Sequence, residues 1–92
     1  MTAAITHDTA AHRFTTTTEG HLSELVYRLE DGKLVIDHTA VPGAIGGRGI
    51  AGALVKAALD HARASGLRVV PACSYSAEYI RRHPEYADLV DA

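Results

Sequence analysis

Val41-Pro42-Gly43-Ala44-Ile45-Gly46-Gly47-Arg48-Gly49-Ile50-Ala51-Gly52 is the stretch on which the reading of this chain turns. Its glycines Gly43, Gly46, Gly47 and Gly49 leave little side chain over eight residues, so the backbone there can turn freely and be approached closely. A helix comes next. Ile50, Ala51, Leu54, Val55, Ala58, Leu59 and Ala62 recur at helical spacing, while Lys56, Asp60, His61 and Arg63 occupy the opposite face. Gly66 is the natural stop. Beyond it, Arg68–Cys73 carries Val69 and Val70 and reads as a short strand; Ser74 caps a last helix to about His83, which Pro84 ends.

Upstream of the glycine stretch the pattern is β. Arg13–Thr17 is rich in Thr and Phe, Glu19-Gly20 turns the chain into His21–Glu30, and Asp31-Gly32 turns it into Lys33–Val41. Asp-Gly between two such runs marks a two-residue hairpin, because both central residues of that turn need positive φ. An unbroken ladder from this turn sets Leu29 opposite Leu34, Tyr27 opposite Ile36 and Leu25 opposite His38. One sheet face then holds Leu25, Tyr27, Leu29, Leu34, Ile36, His38 and Ala40. The other holds Glu24, Val26, Arg28, Glu30, Val35, Asp37, Thr39 and Val41, five of the eight polar, and is expected to stay more open. Residues 1–10 show no period and are expected to form a flexible arm, leaving 11–92 as the folded domain.

Strand, helix and strand in succession predict a right-handed crossover that makes Lys33–Val41 and Arg68–Cys73 parallel. The fold class is therefore α/β, with a small mixed and mostly antiparallel sheet. Ligands of such units bind at the carboxyl ends of the strands. The glycine loop, His38 and Cys73 all lie toward that end.

Composition narrows the function. Ninety-two residues make one domain, and a net charge of −2 argues against nucleic acid, whose binders carry a basic stripe. No apolar run reaches the roughly 20 residues of a membrane span. Met1 to Ala11 has neither a basic start nor a continuous apolar run, so no secretory signal is expected and a cytoplasmic location is. Cys73, the single cysteine, can form no internal disulfide. His7, His12, His21, His61 and His83 show no metal-ligand spacing, and no metal is expected.

A glycine loop that opens a helix presents backbone N–H groups and a positive dipole end, both suited to phosphate. Arg48 can add a side-chain charge. Gly47-Arg48-Gly49-Ile50-Ala51-Gly52 satisfies G-x-G-x-x-G literally, but a dinucleotide site needs an acidic residue about 20 positions on. No Asp or Glu occurs from His61 to Ala77. No Gly-Lys-Ser/Thr occurs after the loop either, so it is not a P-loop.

The same residues resemble motif A of the GCN5-related N-acetyltransferases (GNAT), with Gly49-Ile50-Ala51 in its Gly-x-Gly/Ala part and Gly46 where Arg or Gln is usual. They are also similar to a small GNAT-like subgroup through His38-Thr39-x-Val41-Pro42, Gly47-Arg48-Gly49-Ile50-Ala51, Pro71-x-Cys73-x-Tyr75, Tyr79-Ile80 and His83-Pro84-Glu85-Tyr86. The resemblance implies acetyl-coenzyme A as cofactor and partner. The pyrophosphate would lie on Gly46, Gly47, Arg48, Gly49, Ile50 and Ala51, with Val41 and Tyr79 along the cleft. It also implies a GNAT-like fold truncated at the N-terminal, substrate-side elements, and acetyl transfer to an amine that the sequence does not name. A non-enzymatic acyl-CoA-binding or regulatory module is the competing reading. Cys73 ends a strand and precedes a helix N-terminus, a position that favours a thiolate able to accept an acetyl group. His38 is the candidate base or orienting partner. The subgroup contains this His and this Cys, which adds weight to both. Glu24, Arg28 and Asp37 on the open face are expected to receive the acceptor or a partner.

Overall fold

The computed structural model describes residues 4–90. Five strands form one sheet in sequence order: β1 (Thr6–Asp8), β2 (Arg13–Thr18), β3 (His21–Glu30), β4 (Lys33–Ala40) and β5 (Arg68–Pro71). The first four are antiparallel neighbours, and β5 lies parallel to β4. Between these two runs a 3₁₀ turn (Gly43–Ile45) and then helix α1 (Ile50–Ala64). Helix α2 (Ser74–Arg82) and a 3₁₀ segment (Pro84–Leu89) come after β5. This is the α/β crossover that the sequence predicts.

Both hairpin turns are as expected: Glu19 and Asp31 have φ of 49° and 50°, followed by Gly20 and Gly32 at 78° and 76°. Helix α1 lays its apolar stripe on the sheet, where Leu54, Val55, Ala58, Leu59 and Ala62 are fully buried against Leu25, Leu34, Ile36 and Val69. Burying one Leu or Val side chain of this stripe contributes about 1.5–3 kcal/mol. Helix α2 adds Ile80, and the turn after it adds Tyr86 and Leu89 to the same cluster.

The C-terminal segment is tied down by polar contacts. Tyr86 donates to Asp60 Oδ1 at 2.8 Å, and Arg63 holds Asp88 at 2.9 Å. Arg68 donates to the carbonyls of Asp88 and Val90, and Val90 bridges to Val69 beyond the edge of β5.

Three expectations need correction. First, residues 6–8 of the supposed arm are strand β1, paired with β2 through Thr6–Thr15, His7–Phe14 and Asp8–Arg13. His7 stacks on Phe14 at 4.0 Å and hydrogen-bonds the Tyr27 hydroxyl at 2.6 Å, so tertiary contacts order a stretch without a period of its own. Met1–Ala3 lie outside the described residues. Second, Ser74 does not cap α2. Cys73 occupies the N-cap position, and Ser76 donates its hydroxyl back to the Cys73 carbonyl at 2.8 Å.

The third correction concerns register. Leu29 and Tyr27 do face Leu34 and Ile36, but Val26 faces His38 and Leu25 faces Thr39. Asp37 is the extra residue of a β-bulge and has no opposite number on β3. Its carboxylate takes two hydrogen bonds from Arg28, at 2.8 and 3.1 Å, which fix the bulge. The bulge reverses the faces of everything after it. Thr39, not His38, joins the side of Leu25, and His38 is exposed. Leu29, placed on the covered face, is 49% exposed because it sits by the hairpin turn at the sheet's margin.

Candidate active site

The parallel ladder of β4 and β5 is short. It runs from Lys33–Arg68 to Ile36–Pro71, and the Cys73 amide closes it with a hydrogen bond to the Ile36 carbonyl at 2.9 Å. From Asp37 onward β4 has no β5 partner, so the two strands part just where the bulge lies. An open cleft of about 240 Å³ occupies this end of the sheet, lined by Val41, Gly46, Gly47, Gly49, Ile50, Ala51 and Tyr75.

The glycine loop is built for close approach. Pro42 begins the 3₁₀ turn whose Ile45 is buried in the core, anchoring the loop from below. Gly47 and Gly49 have φ of 77° and 75°, a region that side-chain-bearing residues enter only at a cost. A Cβ at either would meet no atom within 4 Å, and one at Gly46 would meet only the Gly43 carbonyl at 3.4 Å. At these glycines the loop presents bare backbone to open space, and Val41, Ile50, Ala51 and Tyr75 supply the rest of the cleft wall. Gly49 is the N-cap of α1, and the N–H groups of its first turn have no intrahelical acceptor. No acidic side chain stands in that turn to compete with an anion.

Of the residues predicted for the coenzyme, Val41, Gly46, Gly47, Gly49, Ile50 and Ala51 meet at this cleft. Arg48 is turned away and forms an ion pair with Glu19 at the β2–β3 turn, a partner that nothing in the sequence suggested. Tyr79 is not a lining residue. It stacks on His83 at 3.9 Å and packs where a Gly52 side chain would be, while Tyr75, one turn earlier on α2, lines the cleft. The Tyr75/Tyr79 spacing puts both on the α1-facing side, which is the signal from which Tyr75 could have been read.

Cys73 lies at the parting of the strands, partly buried at the start of α2. Burial opposes its ionisation, but the backbone N–H groups of Ser76 and Tyr75 and the hydroxyl of Thr39 favour the thiolate and together hold the thiol below its ordinary value. Thr39 Oγ1 accepts from Sγ at 3.8 Å. His38, named as its partner, is carried to the opposite face by the bulge and is not brought to Cys73. Among the described residues no group of three or more His, Cys, Asp or Glu side chains could hold a metal ion. No helix there is long and apolar enough to cross a membrane.

A family model described as GCN5-related N-acetyl-transferase matches residues 13–89, which take in β2 through the C-terminal 3₁₀ segment. The chain belongs to this family. Among its relatives are the proteins NATD1 of Gallus gallus and Homo sapiens, each 37% identical over 83 residues. Those alignments cover 87% of this chain and 76% and 74% of the two relatives. The NMR structure of a GCN5-like protein from Staphylococcus aureus has the same fold, with a TM-score of 0.77 and 27% identity over 98% of this chain and 89% of the other. Among the described residues of this GNAT protein, no helix precedes the glycine loop; β1 and β2 run directly into β3.

Proposed function

We propose that this GNAT protein binds acetyl-coenzyme A in the cleft at the β4–β5 parting and transfers the acetyl group to an amine by way of Cys73. The observation that carries the reading is a cleft lined jointly by the glycine loop and Tyr75, with Cys73, a thiol whose surroundings favour the thiolate, two residues before Tyr75 at the start of α2. The pyrophosphate would be held by the amides of Gly47, Gly49, Ile50 and Ala51, with the positive end of α1 behind them; the Gly46 amide donates to the Gly43 carbonyl at 3.1 Å, and that residue would only bound the site. Val41 and Tyr75 would flank the pantetheine arm. Arg48 would supply a charge to the phosphates on leaving Glu19.

The chemistry assigned to Cys73 is a two-step acyl transfer. Its thiolate attacks the thioester carbonyl, a bond forms between Sγ and the acyl carbon, and the bond from that carbon to the coenzyme sulfur breaks. The departing thiolate takes a proton from water. The acceptor amine then attacks the acetyl-cysteine, the amide forms, Cys73 leaves as thiolate, and the amine's proton passes to solvent. His38, exposed on the far side of β4, would serve as base only toward an acceptor approaching from that face.

Native mass spectrometry with acetyl-CoA tests both halves. The expected result is a one-to-one complex and, on incubation, one added acetyl group localised to Cys73. Cys73→Ala should bind and not be acetylated. A complex without acetylation of Cys73 leaves a coenzyme-binding module and removes the covalent route; no complex at all removes the reading.

A further inference from the structure

The bulge at Asp37 exchanges which of two adjacent side chains meets the nucleophile. An unbroken ladder would put His38 on the side of Leu25; the observed register puts Thr39 there. Thr39 is half-buried, stands two residues before the cleft residue Val41, and is the side chain of β4 within reach of Cys73 Sγ. A hydroxyl offers one donor and two acceptor sites, whereas a thiol donates and a thiolate only accepts. One side chain can therefore stay bonded to the sulfur through its change of charge without moving.

We propose that Thr39 is the positioning residue of the Cys73 nucleophile, its hydroxyl accepting from the thiol and donating to the thiolate. This rests on the acyl-transfer reading only for its purpose; the contact itself is with sulfur, not with substrate. The bulge, anchored by Arg28 and Asp37 on the outer face, sets the contact by turning β4 over where it leaves β5. Ser76 meets the opposite need: its hydroxyl is committed to the Cys73 carbonyl and holds the helix start in place. Cys73 is thus held from both sides of the strand parting, its sulfur by β4 through Thr39 and its carbonyl by Ser76 in the first turn of α2.

The test measures the alkylation rate of Cys73 by iodoacetamide against pH in the full-length protein, Thr39→Val and Thr39→Ser, each checked for folding by thermal unfolding. Val keeps the shape and removes the hydroxyl; Ser keeps the hydroxyl. Thr39→Val is expected to move the midpoint of the rate profile upward and slow alkylation at neutral pH by roughly three- to tenfold. Thr39→Ser is expected to restore it. A folded Thr39→Val protein with the original profile, or a Thr39→Ser protein that behaves like it, overturns the proposal. Thr39→Ala makes the same measurement if the branched substitute does not fold. A parallel incubation with acetyl-CoA separates this inference from the reading it rests on. An unacetylated wild-type protein that still shows Thr39-dependent alkylation defeats acyl transfer and sustains Thr39. Equal acetylation rates in wild type and Thr39→Val defeat Thr39 and sustain acyl transfer.

Discussion

Gly46 and Gly49 separate what the loop does for the fold from what it does for an anion. Gly49 sits at φ 75°, so Gly49→Ala forces a side chain into the left-handed region, at about 1–2 kcal/mol. For a domain of this size that lowers Tm by about 4–16 °C. Gly46 is extended, at φ −64° and ψ 157°, which any residue adopts. Its new methyl would meet only the Gly43 carbonyl, at 3.4 Å. The loss of unfolded-chain freedom favours Gly46→Ala by about 0.4–1 kcal/mol, so its Tm should stay within a few degrees of wild type. Gly46 nevertheless lines the cleft, so the methyl adds bulk at its wall. If a phosphate lies there, pushing it off even one charged hydrogen bond costs about 1.5–3 kcal/mol, or roughly ten- to hundredfold in affinity. Calorimetric titration with acetyl-CoA, paired with thermal unfolding, reads both quantities. The expected pattern is weakened binding in both variants and lost stability in Gly49→Ala alone. A Gly46→Ala protein that binds as wild type does would refute the placement of the pyrophosphate on this loop.

Contacts away from the cleft give two further outcomes. Tyr86→Phe removes the hydrogen bond to Asp60 and leaves that carboxylate with Lys56 alone, which should cost about 1.5–3 kcal/mol and show as a lower Tm; an unchanged Tm would mean the C-terminal segment is held by Arg63 and Arg68 without it. Burial, and then the neighbouring His61, holds His7 below its ordinary value of 6.5, so below that pH the unfolded chain takes up the proton first and stability falls until the folded value is reached. Wild type should therefore lose more Tm than His7→Gln between about pH 7.5 and about pH 5.5, and parallel losses would count against the His7 contact as the cause.

Local chemistry carried much of this fold into the sequence. Asp31-Gly32 can adopt the paired positive φ that a tight hairpin requires, the α1 stripe repeats with the helix period, and a strand on each side of that helix leaves β4 and β5 parallel. Each of these is decided by neighbours within a few residues. The glycine loop was legible for the same reason, since side-chain-free backbone opening a helix is visible in the residue types themselves. What tertiary structure decided lies where a choice depends on partners far along the chain. Strand alternation runs on by default until a residue is left out of the ladder. Whether Asp37 is left out depends on Leu25, Tyr27 and Ile36 all reaching the α1 layer and on Arg28 holding the displaced carboxylate. That single exclusion moved His38 to solvent and brought Thr39 to Cys73. Likewise β1 has no pattern of its own; Phe14, Tyr27 and His61, from three other elements, make His7 part of the sheet's edge. Side-chain period determines which residues could be inside, and only packing across the sheet determines where the count slips by one.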